Sequence, residues 1–274
     1  MDIKQYADMA PWEWPDNLGE DLLKLLGDAD ADTQDRLTAV SMAGDPCLVN
    51  DALAEALIAI VKDAGADESL RGRAAIALGP ALEGTDLMME LEEDEDEEEV
   101  SLSKAVFDGV QGALERCYRD SGCPKEVRRR CLEASVRAPR EWHPEAVRSA
   151  YRSGDAEWRL TAVFAMSYIE GFDQQILESL EDDDPDIQYE AVSGAGSWAL
   201  DAAWGHIAAL LEAQATDTDL CLAAMEAAVN IRPEKTADLL EPLTRHSDPE
   251  IADAAREAIE MADAMLRLDD DEYF

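Results

Sequence analysis

Three cysteines crowd one stretch of the chain: Cys117, Cys123 and Cys131. Thiolates bind zinc and attack electrophiles, so this cluster is the first place to look for chemistry. Its gaps of six and eight positions match no zinc knuckle, and no histidine lies among the three. On helices such residues serve as small core side chains. Cys47 and Cys221 complete an odd, scattered set of five, which suits a reducing compartment better than a disulfide framework. The histidines His143, His206 and His246 stand apart from one another. Asp28-x-Asp30-x-Asp32 opens like a calcium loop, but Thr33 replaces the required glycine and Ala39 the closing glutamate. No Gly-x-Ser-x-Gly elbow, P-loop or dinucleotide fingerprint occurs. The expectation is a chain with no catalytic residue, no metal and no cofactor.

Binding chemistry is better represented. From Arg116 to Arg159 there are eleven Lys plus Arg and seven Asp plus Glu, within a chain of net charge −40. Arg128, Arg129, Arg130, Arg137 and Arg140 form the centre of this island, with Arg148 and Arg152 beyond them. Trp142 and Trp158 stand nearby as flat anchors. These residues either form a partner-binding patch or pair with neighbouring acids. Just upstream, Glu90–Glu99 holds nine acids in ten residues, a run that repels itself and predicts a disordered loop. It is either a solubilising insertion or an arm held loosely over the arginines.

The overall charge narrows the partners. With 63 Asp plus Glu against 23 Lys plus Arg, the chain repels nucleic acid and anionic membranes. Its longest uncharged stretches, Leu160–Ile169, Ala191–Leu200 and Ala202–Leu211, are ten residues each, half of a membrane span. Met1-Asp2-Ile3-Lys4 begins no basic-then-apolar run, so a cytoplasmic location is expected. The acidity also fits a salt-rich or GC-rich host.

What positions these residues is a repeat. The block Asp184-Pro185-Asp186-Ile187-Gln188-Tyr189-Glu190-Ala191 has counterparts starting at Asp32, Asp67, Pro124, Asp155, Asp217 and Asp248. In chain order the starts are spaced by 35, 57, 31, 29, 33 and 31 residues. Each block reads as a helix start: an N-cap, acids in the first turn, then an apolar residue with alanine four positions later. Asp32/Arg36, Asp67/Arg71 and Asp155/Arg159 add the favourable acid-before-base spacing. A second helical segment lies between blocks, at 51–64, 103–119, 144–153, 173–181, 201–213 and 236–245. Neither helix can bury its apolar stripe alone, so neighbouring repeats must stack.

Blocks such as Asp-Pro-Glu-Ile-Ala-Asp-Ala-Ala and Glu-Val-Arg-Arg-Arg-Cys-Leu-Glu-Ala resemble HEAT repeats, of the short bacterial type also found in phycobilin lyases. The resemblance covers roughly residues 18 to 262 and implies an all-α, HEAT-like, armadillo-like α-solenoid (an α-α superhelix) of about seven helix pairs. The expected layout is an aromatic cap over residues 1–17, carried by Trp12 and Trp14, that closes the stack or binds a peptide. A single-domain solenoid follows over 18–268, with the acidic insertion at about 84–101 and an acidic tail over 269–274. None of the three histidines precedes a glutamate, so the paired motifs of the di-iron HEAT enzymes that hydroxylate deoxyhypusine are absent. The charge argues against the basic cradle of HEAT-like DNA glycosylases. The function expected is a monomeric, non-catalytic interaction scaffold whose acidic surface binds a basic protein or peptide. A bilin-lyase-like enzyme and an acidic DNA mimic are the alternatives.

Overall fold

The computed structural model describes residues 3–7, 9–91, 101–213 and 217–271. They divide into two compact units, Met1–His143 and Pro144–Phe274, where one continuous domain over 18–268 was expected. The first holds α1 (Lys4–Ala7), α2 (Leu18–Gly27), α3 (Thr33–Ala43), α4 (Asp51–Lys62), α5 (Glu68–Ala77), α6 (Gly79–Leu91), α7 (Lys104–Arg119) and α8 (Lys125–Ser135). The second holds α9 (His143–Tyr151), α10 (Ala156–Met166), α11 (Asp173–Ser179), α12 (Pro185–Ser197), α13 (Trp204–Glu212), α14 (Thr218–Ile231), α15 (Pro233–Leu240) and α16 (Pro249–Asp271). No strand occurs among the described residues.

Every block start is a helix start. The carboxylates of Asp32, Asp67, Asp155, Asp184 and Asp217 accept backbone N–H groups of the first turns of α3, α5, α10, α12 and α14. Asp248 does the same for Glu250 at the head of α16. Each satisfies donors that a helix end otherwise leaves bare. Pro124 stands at the N-cap of α8 and supplies a fixed φ without a side-chain acceptor.

In the first unit α3, α5 and α8 pack one on the next, with α2, α4 and α7 as a second layer beside them. In the second unit α10, α12, α14 and α16 form the corresponding row, with α11, α13 and α15 paired to it. The order gives seven pairs among the described residues: α2–α3, α4–α5, α7–α8, α9–α10, α11–α12, α13–α14 and α15–α16. Each unit is thus all-α and built of stacked helix pairs, the arrangement of a HEAT-like α-solenoid.

Small side chains set the spacing of the rows. A Cβ on Gly44, at the end of α3, would sit 2.1 Å from the Ala77 carbonyl oxygen of α5. One on Gly196 of α12 would sit 2.9 Å from Ala227 Cα of α14. Between the rows Leu53, Leu57, Leu70, Phe107 and Leu114 are fully buried in one continuous core in the first unit. Each such side chain contributes about 1.5–3 kcal/mol relative to exposure.

Three expectations about the ends and the insertion change. Trp14 packs on the core and its indole Nε1 donates to the Tyr6 carbonyl at 2.9 Å, but Trp12 is 86% exposed, so one tryptophan and not two covers the stack. The insertion expected at about 84–101 begins inside α6, which runs to Leu91 because Leu82 N–H bonds the Leu78 carbonyl and prolongs the helical path from α5. The acids of 92–100 lie outside the described residues. At the other end α16 runs through Asp271, where a frayed tail from Asp269 was expected; residues 272–274 lie outside the described residues. No helix among the described residues is long and apolar enough to cross a membrane.

Candidate functional site

The arginine island forms an internal ion-pair lattice in the first unit. Arg129 is only 4% exposed; it meets Glu126 at 2.8 Å and Glu133 at 3.7 Å on its own helix. Arg130 reaches the same two carboxylates at 2.7 Å each. These pairs sit three and four residues apart, the separations that α8 brings face to face. Arg137 and Arg140, in the connection after α8, cross to α6 and meet Glu83 at 2.6 Å and Asp86 at 3.4 Å. Arg137 passes over Gly79, where a Cβ would lie 2.8 Å from its Cδ.

The aromatic anchors are also engaged. Trp142 stacks 5.2 Å from Tyr118 and 3.9 Å from His143, with the Arg119 guanidinium over its face. Arg128 donates through Nε to the Tyr118 carbonyl and lies over the Tyr118 ring. Trp158 does not join them; it is half-buried on α10 in the second unit. So Arg128, Arg129, Arg130, Arg137, Arg140 and Trp142 lie in the first unit, where four acids already hold Arg129, Arg130, Arg137 and Arg140 and Tyr118 holds Arg128. The open groove of ≈ 560 Å³ beside Trp142 is lined by Asp108, Glu115 and Glu141 against Arg140 alone. Its walls are more acidic than basic.

His143 shows how tightly this corner is built. It is fully buried, its Nδ1 accepts the Arg140 N–H at 2.8 Å, and its Nε2 therefore donates to Ser135 Oγ at 3.0 Å. Burial, with the Arg140 charge adding to it, pushes the imidazole down to about 3.

A different surface lies in the second unit. Between the N-terminal halves of α12 and α14 runs a groove of ≈ 550 Å³, lined by Asp186, Asp217, Asp219 and Glu226 with Tyr189 and Leu222. All four acids are exposed, and no lysine or arginine lines the groove. Asp217 caps α14, so part of its charge serves the helix. Reading motifs missed this site, yet a signal was present: no lysine or arginine occurs between Arg159 and Arg232, a stretch with fourteen Asp plus Glu. Arg159 and Arg232 are themselves occupied, by Asp182 at 2.8 Å and Asp201 at 2.6 Å.

The cysteines converge more closely than their spacing suggests. Cys117 at the end of α7 and Cys123 in the turn before α8 place their sulfurs 3.0 Å apart. Among the described residues no group of three or more His, Cys, Asp or Glu is arranged to hold a metal ion.

No family model matches this chain, and no curated protein does. Among solved structures it is similar to human deoxyhypusine hydroxylase, with 16% identity, TM-score 0.41, and coverage of 90% of this chain and 96% of that one. The Escherichia coli protein YibA aligns at 15% identity and TM-score 0.43 over 94% of this chain and 95% of its own. A HEAT-like repeats protein from the archaeon Thermococcus onnurineus aligns at 18% identity and TM-score 0.38, covering 90% and 97%. The fold assignment rests on the helices described above.

Proposed function

We propose that the protein is a non-catalytic interaction scaffold that binds a basic protein or peptide in the acidic groove between α12 and α14. The observation that carries this reading is the groove itself: four exposed acids, no cation on its walls, and Tyr189 and Leu222 as apolar footing. Acidic walls steer a positively charged segment and set its register, and the apolar floor supplies contact area. The reading keeps the chain monomeric and in the cytoplasm, and treats its repeats as the short bacterial, phycobilin-lyase type. The arginine island serves the fold, since Glu83, Asp86, Glu126 and Glu133 take up its charge.

The test is a titration with a labelled peptide rich in lysine and arginine, read by fluorescence anisotropy. Reversing Asp186, Asp219 and Glu226 to lysine, with the cap Asp217 kept, should weaken binding at least tenfold, as three lost attractions of ~0–1 kcal/mol each become repulsions. Reversing Glu257, Glu260 and Asp263, exposed acids of α16, changes net charge equally and should weaken it far less. Equal loss in both variants would mean that the peptide reads total charge, and the groove would not be the site.

A further inference from the structure

The sulfurs of Cys117 and Cys123 face each other at 3.0 Å in van der Waals contact or closer, while a disulfide needs about 2.05 Å. Cys117 belongs to the last turn of α7, and Cys123 follows a tight turn in which the Asp120 carboxylate accepts the Gly122 N–H and the Asp120 carbonyl accepts the Cys123 N–H. That turn folds Cys123 back onto the helix end. Arg71, itself only 7% exposed, reaches in from α5: its Nε donates to the Val61 carbonyl and one terminal nitrogen to Cys123 Sγ at 3.3 Å. A buried cation aimed at a thiol pair is the environment that stabilises a thiolate. The pair is also accessible, because an open cavity of ≈ 230 Å³ lined by Lys62, Arg71, Arg116, Asp120 and both cysteines leads to it.

We propose that Cys117 and Cys123 form a redox-active dithiol, oxidised to a disulfide by hydrogen peroxide entering through this cavity. Cys117 is the attacking thiol. Hydrogen bonding from the fully buried Cys131, then from Cys123, with Arg71 nearby, outweighs burial and holds its thiol down to about 6, while burial and the Cys117 charge push Cys123 up to about 12. The Cys117 thiolate attacks one peroxide oxygen; the O–O bond breaks, a sulfenic acid forms, and the departing hydroxide leaves as water after taking a proton. Cys123 then gives up its proton and attacks the sulfenic sulfur. The S–O bond breaks, a second water leaves, and the disulfide closes. Two thiols lose two electrons and two protons, and one peroxide takes them up to become two waters. A dithiol reductant reverses the step.

The full chain, fully reduced, is exposed to limiting hydrogen peroxide, its remaining thiols are alkylated, and the products are mapped by mass spectrometry. The expected product is a Cys117–Cys123 disulfide that dithiothreitol reverses, in the native protein and in Cys131→Ser alike. In Cys123→Ser the reaction should stop at a Cys117 sulfenic acid that dimedone captures. Cys47 is exposed, and partial desolvation together with the neighbouring Asp45 carboxylate raises its thiol, so Cys117 should be oxidised about tenfold faster at neutral pH. A disulfide to Cys131, or Cys47 oxidised as fast as Cys117, would overturn the proposal. The native-chain map decides this even if a serine variant fails to fold.

Discussion

Glu83 and Arg137 meet at 2.6 Å although 54 residues separate them. With Asp86 and Arg140 the contact ties α6 to the segment after α8, so the helix leading toward the acidic run is docked on the arginine segment. Both pairs are partly exposed, so each contributes ~0–1 kcal/mol and weakens in salt. Glu83→Gln should leave the melting of the chain nearly unchanged yet speed amide exchange across Gly79–Leu91 several-fold. Exchange that rises equally throughout α8 would instead make the pair part of the core.

Gly44 and Gly27 should respond to alanine with opposite signs. At Gly44 the new Cβ meets the Ala77 carbonyl oxygen at 2.1 Å, and the α3–α5 contact must open. Overpacking of that kind costs about 1–3 kcal/mol. At Gly27, the last residue of α2, nothing lies within 4 Å, and alanine should stabilise by about 0.5–1 kcal/mol. Urea unfolding of the two variants beside the native chain measures both signs.

What could be read from the sequence was local. Asp184-Pro185 and Asp248-Pro249 carry their own N-cap chemistry, so the block starts fell on helix starts. The Glu126, Arg129, Arg130 and Glu133 pairs follow from helical spacing alone, which is why pairing was already one reading of the island. Contacts set by chain return were not legible. Nothing in the composition of Gly79–Leu91 says that Glu83 will find Arg137, and Gly79-Pro80 reads as a break where the path from α5 continues. The cysteine gaps match no zinc knuckle, and a gap of six residues shows no contact until the turn at Asp120 folds Cys123 back.

Ala199 offers a stabilising change. Its φ is +46°, and it ends α12 in a Schellman turn: Leu200 N–H bonds the Ala195 carbonyl at 2.9 Å and Ala199 N–H the Gly196 carbonyl at 3.0 Å. The left-handed conformation costs an L residue roughly 1–2 kcal/mol and glycine almost nothing. Glycine loses some of that advantage through its more flexible unfolded chain. Ala199→Gly should therefore raise stability by up to about 1 kcal/mol, seen as a higher urea midpoint at unchanged slope. Destabilisation would mean that the Ala199 methyl packs better than the turn is strained.

The pH dependence of folding should carry the mark of His143. Its folded value of about 3 lies below the ordinary histidine value of 6.5, so the native state holds it neutral. Above about pH 6.5 both states leave it unprotonated, and its contribution to stability is complete. As pH falls below that, the unfolded chain takes a proton that the buried ring refuses, and stability drains away until about pH 3. Across that window the loss is on the order of a few kcal/mol. Unpaired carboxylates work in the other direction, because protonating them relieves repulsion in a chain of net charge −40. Asp67 and Asp201, held below the ordinary carboxylate value by hydrogen bonds from Ser69 and Arg232, act with the histidine. A single pH profile therefore mixes the two effects, and a comparison separates them. His143→Asn can still accept the Arg140 N–H but does not titrate. At about pH 8 the variant should be the less stable protein, since it leaves space beside Ser135 and Trp142. The gap in urea-derived stability should narrow steadily from about pH 6.5 to pH 4 at fixed ionic strength. A gap that stays constant over that range would show that the ring takes its proton without unfolding the corner around it.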